Sequence, residues 1–300
     1  MPDAREYGTL AQRLVRQGRV ADAEAALRAG LEAIPNHPIL SYALATMLLR
    51  RGAFEEAWPL YEYRWALPNG PAQPSLSFPR WDGREVSSLV VLPEQGLGDQ
   101  IMFARYIPQL QRQGIRITLA SPPELVSLFA AFDAETVTVM GAASLPRRDA
   151  WCFIGSLPLL AGGLPRAAYL DGTGEGNGIG MMLEGGPRAL DRTLPSSIAE
   201  ILLEFGISVH PRVTGSRDFA ETARLMRDLD LVVTVDTSVA HLAGAMGKPT
   251  WILLPYSADW RWGRHGEVSR WYPSARLFRQ HIPGKWDDVA SEVTASLQAL

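Results

Sequence analysis

Hydrophobic and polar positions follow three regimes along the chain. Over residues 1–66 the apolar positions have helical spacing and repeat: Leu14, Gly18, Ala23 and Leu27 return as Leu48, Gly52, Ala57 and Tyr61, each 34 residues on. A helix–turn–helix of that period, with glycine at the turn and small alanine where helices cross, is the tetratricopeptide (TPR) pattern. Ala23 and Ala57 let helices approach closely, while Leu14, Leu27, Leu48 and Tyr61 fill the seam. Two such units are fewer than normally stand alone. The segment is therefore expected to serve either as a helical cap on the rest of the chain or as a surface for a protein partner or a second copy. Residues 67–80 hold Pro68, Pro71, Pro74 and Pro79 and are predicted to be a stiff, extended linker.

From Trp81 onward, short β-branched apolar runs alternate with stretches of helical spacing. The first set predicts strands at 88–93, 116–120, 136–140 and 150–154, with helices at 100–113 and 123–132. Asp171-Gly-Thr-Gly-Glu-Gly-Asn-Gly178 has glycine at every second position and reads as a flexible joint. Beyond it the pattern resumes, with strands at 179–183, 207–210, 231–235 and 251–255 and helices at 196–205, 218–227, 239–246 and 286–300. Such alternation predicts parallel sheets covered by helices. The resulting division is a helical segment 1–66, a linker 67–80, a Rossmann-like domain 81–170 and a second Rossmann-like domain 171–300.

Composition narrows the class. With 47% hydrophobic and 20% charged residues, the chain is of ordinary globular type. Its net charge of −3 gives no bulk attraction to nucleic acid. The single cysteine, Cys152, excludes an internal disulfide and a Cys-based zinc site. No signal-like start and no apolar run of the roughly 20 residues needed to span a bilayer is present, so a cytoplasmic protein is expected.

Two turns carry candidate chemistry. Residues 230–249 read as a buried strand, then Asp236, Thr237 and Ser238, then a helix ended by Gly247 and Pro249. All three turn residues suit an N-cap, and a helix N-terminus at the carboxyl edge of an open sheet attracts phosphate. His241 lies one helical turn further on. The other turn is Glu94-Gln-Gly-Leu-Gly-Asp99, where Asp99 could do no more than cap the following helix. Trp251, Trp260, Trp262, Trp271 and Trp286 crowd the C-terminal third. They could stack on a sugar or base, but are read chiefly as pins holding the C-terminal segment across its domain.

Glu94-Gln-Gly-Leu-Gly-Asp-Gln-Ile-Met-Phe-Ala-Arg-Tyr, the Asp236-Thr-Ser-Val-Ala-His-Leu-Ala-Gly block and Asp259-Trp-Arg-Trp together resemble bacterial TPR-fused glycosyltransferases of family nine. These are relatives of the ADP-heptose:lipopolysaccharide heptosyltransferases. The resemblance implies an α/β protein of GT-B type: tandem Rossmann-like domains with an N-terminal all-α TPR segment, the acceptor held mainly by the first domain and the nucleotide sugar by the second. It implies an inverting transfer with Asp99 as general base on an acceptor-side loop that includes Gln95, Gly96 and Gly98. It further implies donor-diphosphate contacts from Asp236, Thr237, Ser238 and His241, assisted by Arg192 or, second, Arg188. No metal or other cofactor is expected, because these groups would take a metal's place at the leaving diphosphate. The nucleotide sugar is a substrate, and the acceptor is a surface glycan, lipopolysaccharide or protein. A peripheral place at the inner membrane is a further expectation of this kind.

The span between Asp99 and Asp236 is shorter than the family's, and Met181-Met-Leu-Glu184 stands where the family tends to have an aromatic and small residues. A compacted donor site is therefore expected. It leaves open a reading in which the scaffold has lost catalysis and serves as a binding module. A nucleotide-sugar epimerase on the same architecture would need a second acid/base carboxylate in the cleft.

Overall fold

The computed structural model describes residues 3–139, 144–186 and 190–300. It divides into two compact units, residues 1–76 with 259–264, and residues 77–258 with 265–300.

The first unit is helical. Helix α1 (Ala4–Arg16) opens on a capping box between Asp3 and Glu6. It is followed by α2 (Val20–Ala33), α3 (Pro38–Arg51) and α4 (Phe54–Tyr61). The repeated residues take equivalent places. Leu14, Ala23 and Leu27 are buried, as are Leu48, Ala57 and Tyr61. Gly18 and Gly52 both turn the chain at positive φ, 76° and 89°. Trp58 and Tyr61 meet Trp260 edge-on at 6.2 and 5.9 Å between ring centroids. Asp259-Trp-Arg-Trp, a 3₁₀ turn over residues 260–262, is thus part of the helical unit. Trp260 and Trp262 pack there, which differs from the sequence expectation that they pin the C-terminal segment across its own domain.

The second unit begins with β1 (Ser88–Leu92), α5 (Leu97–Phe103), a 3₁₀ turn at 104–106 and α6 (Ile107–Arg112). The single helix predicted over 100–113 is therefore broken. Pro108 supplies the reason, since it has no N–H to give and its ring crowds the carbonyl four residues back. Next come β2 (Arg116–Ser121), α7 (Pro123–Phe129), β3 (Glu135–Thr138), β4 (Ala150–Phe153) and α8 (Leu157–Leu160). The four strands are parallel, in the order β3-β2-β1-β4. All five residues of β1 are buried, as a strand covered on both faces requires. The end of the proline-rich stretch pairs with the outer edge of β4: Trp81 N–H donates to Trp151 O at 2.7 Å and Trp151 N–H to Pro79 O at 3.0 Å.

The second sheet is built from β5 (Ile179–Met182), α9 (Ser196–Leu203), β6 (Ile207–Ser208), α10 (Pro211–Thr214), α11 (Phe219–Arg227), β7 (Leu231–Val235), α12 (Ser238–Ala245), β8 (Thr250–Leu254), β9 (Ala275–Arg279) and α13 (Asp287–Gln298). Its order is β6-β5-β7-β8-β9, all parallel. Leu231, Val233 and Val235 join Leu202, Leu253, Phe278, Trp286, Val289 and Val293 in one core. The alternate residues Val232 and Thr234 turn to the opposite face. In each sheet the strand order reverses at one point, between β1 and β4 and between β5 and β7, and open α/β sheets bind ligands at such points.

The glycine-alternating stretch 171–178 is not a free joint. A Cβ at Gly172 would lie 2.1 Å from Met246 O, and one at Gly174 2.1 Å from Arg227 O. Gly178 N–H donates to the Asp230 carboxylate at 2.9 Å, and Asn177 N–H to Asp228 O at 2.6 Å. Glycine is required because this strap lies directly on the ends of α11 and α12, where backbone meets backbone.

Candidate functional site

Both sequence-predicted turns lie at the carboxyl edge of their sheets, at the reversal points. On the first sheet the chain leaves β1 through Glu94. This residue is buried, and its carboxylate accepts the N–H of Gly155, just past β4, at 2.9 Å. The two strand ends on either side of the reversal are tied together by this bond. Gln95 follows at φ 60°, a left-handed conformation uncommon outside glycine and characteristic of tight functional turns. Gly96 is the N-cap of α5, and Asp99, three residues later, accepts its N–H at 2.9 Å. Asp99 is therefore not the cap itself. It supplies one half of a capping box, taking the cap's backbone N–H, while Gly96 has no side chain to return the bond; its carboxylate stands at the positive end of α5.

On the second sheet β7 ends at Val235 and α12 starts at Ser238. Thr237 is the N-cap: its hydroxyl accepts Val239 N–H at 3.3 Å and pairs with the Thr234 hydroxyl at 3.2 Å. Asp236 is buried and paired with Arg192, Oδ2 to Nη1 at 3.0 Å. The same nitrogen lies 3.4 Å from the Asp236 carbonyl. The Arg192 side chain stays one-third exposed, and a guanidinium has five N–H donors, so it has donors beyond those on the nitrogen that holds Asp236. Arg192 follows β5 and Asp236 follows β7, so the pair straddles the reversal point. Arg188 lies outside the described residues.

The two turns meet. A Cβ on Gly98 would stand 2.7 Å from His241 Cδ2 and 3.2 Å from Ser238 Cα. Position 98 therefore accepts only glycine without displacement, and the start of α5 rests on the start of α12. Gly98 of the first turn thus lies against Ser238 and His241 of the second, while Asp99 is tied to Gly96 and Asp236 to Arg192. His241 is only 4% exposed. Its Nδ1 lies 2.9 Å from the Tyr272 hydroxyl, and its ring meets that of Tyr272 edge-on at 5.8 Å.

Tyr272 and Arg105 were not singled out as site residues by the sequence. Arg105 is buried, yet among the described residues it makes no ion pair. Its Nε donates to Met102 O at 2.7 Å, and Nη1 donates to Pro165 O at 3.0 Å and Trp271 O at 2.8 Å. Its guanidinium stands over the rings of Tyr272, Trp271 and Tyr169 at 4.8, 5.2 and 5.4 Å. Burial pushes the Tyr272 phenol well above its ordinary range, the Tyr169 hydroxyl adding to this and the Arg105 charge opposing it. The only sequence signal was a charge inside the apolar run Phe103-Ala-Arg-Tyr-Ile107.

Comparison with known proteins bears on the same elements. Residues 175–283 match the sequence profile of glycosyltransferase family 9 (heptosyltransferase). Protein FlbA of Caulobacter vibrioides is 27% identical over 94% of this chain, and the chain spans 58% of FlbA's length. Among solved structures, E. coli heptosyltransferase WaaC with ADP is similar over 71% of this chain and 99% of its own, at TM-score 0.51 and 12% identity. The same enzyme with ADP-2-deoxy-2-fluoro heptose gives TM-score 0.50 at the same identity and coverage. Among the described residues no helix is long and apolar enough to cross a membrane. The chain is thus similar in sequence to glycosyltransferase family 9 over its second sheet, and its two parallel sheets share the fold of the WaaC structures.

Proposed function

We propose that the second unit is an inverting, metal-independent glycosyltransferase that moves a sugar from a nucleoside-diphosphate donor to a surface glycan, lipopolysaccharide or protein acceptor. The observation that carries this reading is the direct meeting of the Gly96–Asp99 turn with the start of α12, beside the Arg192–Asp236 pair. In this reading the acceptor hydroxyl attacks the anomeric carbon, Asp99 takes its proton, and the bond from that carbon to the diphosphate oxygen breaks with inversion. The charge that develops on the departing diphosphate meets the first N–H groups of α12, the Thr237 and Ser238 hydroxyls and the remaining N–H donors of Arg192. Asp236 orients that arginine. WaaC has been solved with ADP, which makes an adenosine-diphosphate sugar the first donor to try. The helical hairpins of the first unit are read as TPR-like, serving a protein partner or a second copy.

A second reading has one observation in its favour: His241 is almost wholly buried between Gly98 and Tyr272. A site closed in this way suits a non-catalytic binding module. The test is calorimetry and thermal shift with ADP-, GDP-, UDP- and dTDP-linked sugars, with and without Mg²⁺, followed by a transfer assay. A donor at 100 times its dissociation constant stabilises the fold by about 2.7 kcal/mol. Metal-independent stabilisation by one nucleotide class, lost in Arg192→Ala, together with turnover abolished in Asp99→Asn, is the expected result. Absence of any shift would favour the binding module instead.

A further inference from the structure

The buried cluster behind the two turns has no part in the chemistry just described. It joins five segments: the end of α5 through Met102, the turn after it through Arg105 itself, the crossover at Pro165 and Tyr169, the start of α12 through His241, and the 271–272 stretch before β9. Tyr169 adds to the same knot, donating its hydroxyl to Ile101 O at 2.9 Å. A guanidinium with no carboxylate partner is costly to bury. Three carbonyls and three aromatic faces offset that cost here, and Nη2 is left without a hydrogen-bond partner among the described residues. Hydrophobic residues would fill such a volume at less cost, so a role in placing its neighbours accounts better for the arginine.

Those neighbours lead to the site. The Arg105 guanidinium lies over Tyr272, the Tyr272 hydroxyl meets His241 Nδ1, and the opposite edge of the His241 ring rests on Gly98. Tyr272 is fixed from its other side as well, for a Cβ on Gly244 of α12 would stand 2.3 Å from its ring. The imidazole is thus held between Tyr272 and the Asp99 turn.

We propose that Tyr272 and Arg105 are positioning residues of the transfer site, holding His241 in one orientation so that the Asp99 turn and the diphosphate turn keep a fixed register. This rests on the transferase reading for its consequence in ligand binding, but the placement of His241 is testable without it. A hydrogen bond to Nδ1 fixes the tautomer and orientation of a histidine ring. Tyr272→Phe keeps the ring and its packing and removes only the hydroxyl.

The experiment is a double-mutant cycle on the full chain, with ADP affinity read by calorimetry and thermal unfolding recorded alongside. Tyr272→Phe is expected to weaken ADP binding about five- to tenfold while unfolding close to the wild-type temperature. In a His241→Ala background the same substitution should change affinity less than about twofold, because the hydroxyl's bond to His241 is already absent and its remaining interactions, with Tyr169 and Arg105, do not reach the site except through that ring. Arg105→Lys, which keeps the charge but not the planar fork, should fall between Tyr272→Phe and wild type, and Arg105→Met should be weaker than either. An equal loss in both backgrounds, or no loss in Tyr272→Phe, overturns the proposal. If the wild-type chain binds GDP, UDP or dTDP in place of ADP, the cycle is run with that nucleotide. If it binds none of ADP, GDP, UDP and dTDP, the transferase reading fails, and the ¹⁵N spectrum of histidine-labelled protein decides the positioning question alone. There, the His241 signal, assigned by its loss in His241→Ala, should report one tautomer in wild type and exchange between two in Tyr272→Phe. An unchanged spectrum overturns the proposal.

Discussion

Two residues of the site show how fine the margins are. Gly98 is held to glycine by contact and not by torsion: its φ is ordinary, but a Cβ would meet His241 Cδ2 at 2.7 Å. Gly98→Ala must therefore push α5 and α12 apart or tilt the imidazole, at about 1–3 kcal/mol of stability. Gly186→Ala is the control, since nothing lies within 4 Å of its added carbon, and it should stay within about 0.5 kcal/mol. Urea midpoints of the two variants check this; equal midpoints would remove the contact from the argument. Asp99 behaves differently. Its carboxylate caps Gly96 N–H, a task that the carbonyl oxygen of asparagine also performs. Asp99→Asn should leave the urea midpoint nearly unchanged while transfer falls by about 10²-fold or more. A parallel loss of both would reduce Asp99 to a capping residue.

At the scale of elements, the first sheet carries a carboxylate clamp. Asp149, one residue before β4, accepts Ser87 N–H at 2.8 Å and Ser88 N–H at 2.9 Å at the start of β1. Those backbone bonds, Ser87's first, hold its carboxyl below the ordinary carboxylate range. A carboxylate with a lowered folded value contributes stability above its unfolded value and loses it as pH falls through the folded one. Glu221 behaves likewise, lowered to about 2 chiefly by its hydrogen bond to Arg217. The urea midpoint should therefore fall between about pH 5 and about pH 2, and the fall should shrink in Asp149→Asn. An unchanged slope in that variant would show that the clamp is absent in solution. Legibility from sequence follows the same physics. β7 and α12 were readable because a continuous β-branched run ends in three capping side chains. The break in the 100–113 helix was missed although Pro108 announces it. β9 was missed because Arg276 and Arg279 interrupt its apolar run, and in the structure Arg276 lays its guanidinium over Phe278 at 4.5 Å and bonds Glu267. The glycines of 171–178 could not be told from a joint by composition alone, because the backbones they lie against are about 50 and 70 residues away in sequence. The two strand-to-helix turns were legible as turns, because each joins an apolar run to a helix start. The cluster of Arg105, Tyr169 and Tyr272 behind them was not, because no spacing rule links positions so far apart in the chain.

The whole molecule is assembled from segments that the sequence order hides. The helical unit is completed by residues 259–264, so the chain passes between the units at 76–77, 258–259 and 264–265. Trp260 and Trp262 are almost fully buried, and Trp260 meets Trp58 and Tyr61 edge-on. These rings are among the largest apolar surfaces of that unit, and their covering comes from helices some 200 residues earlier. The N-terminal helices are therefore not a detachable module, whatever else binds them. A chain starting at residue 77 should leave Trp260 and Trp262 uncovered, bind a hydrophobic dye strongly and aggregate at concentrations where the full chain does not. Trp58→Ala tests the same contact in the intact chain. Loss of a buried tryptophan costs about 3–5 kcal/mol, and the fluorescence of Trp260 should shift to the red as its edge-on neighbour is removed. A truncated chain that stays monomeric and dye-free, or a Trp58→Ala variant with unchanged emission, would separate the helices from the 259–264 turn and make them an independent domain.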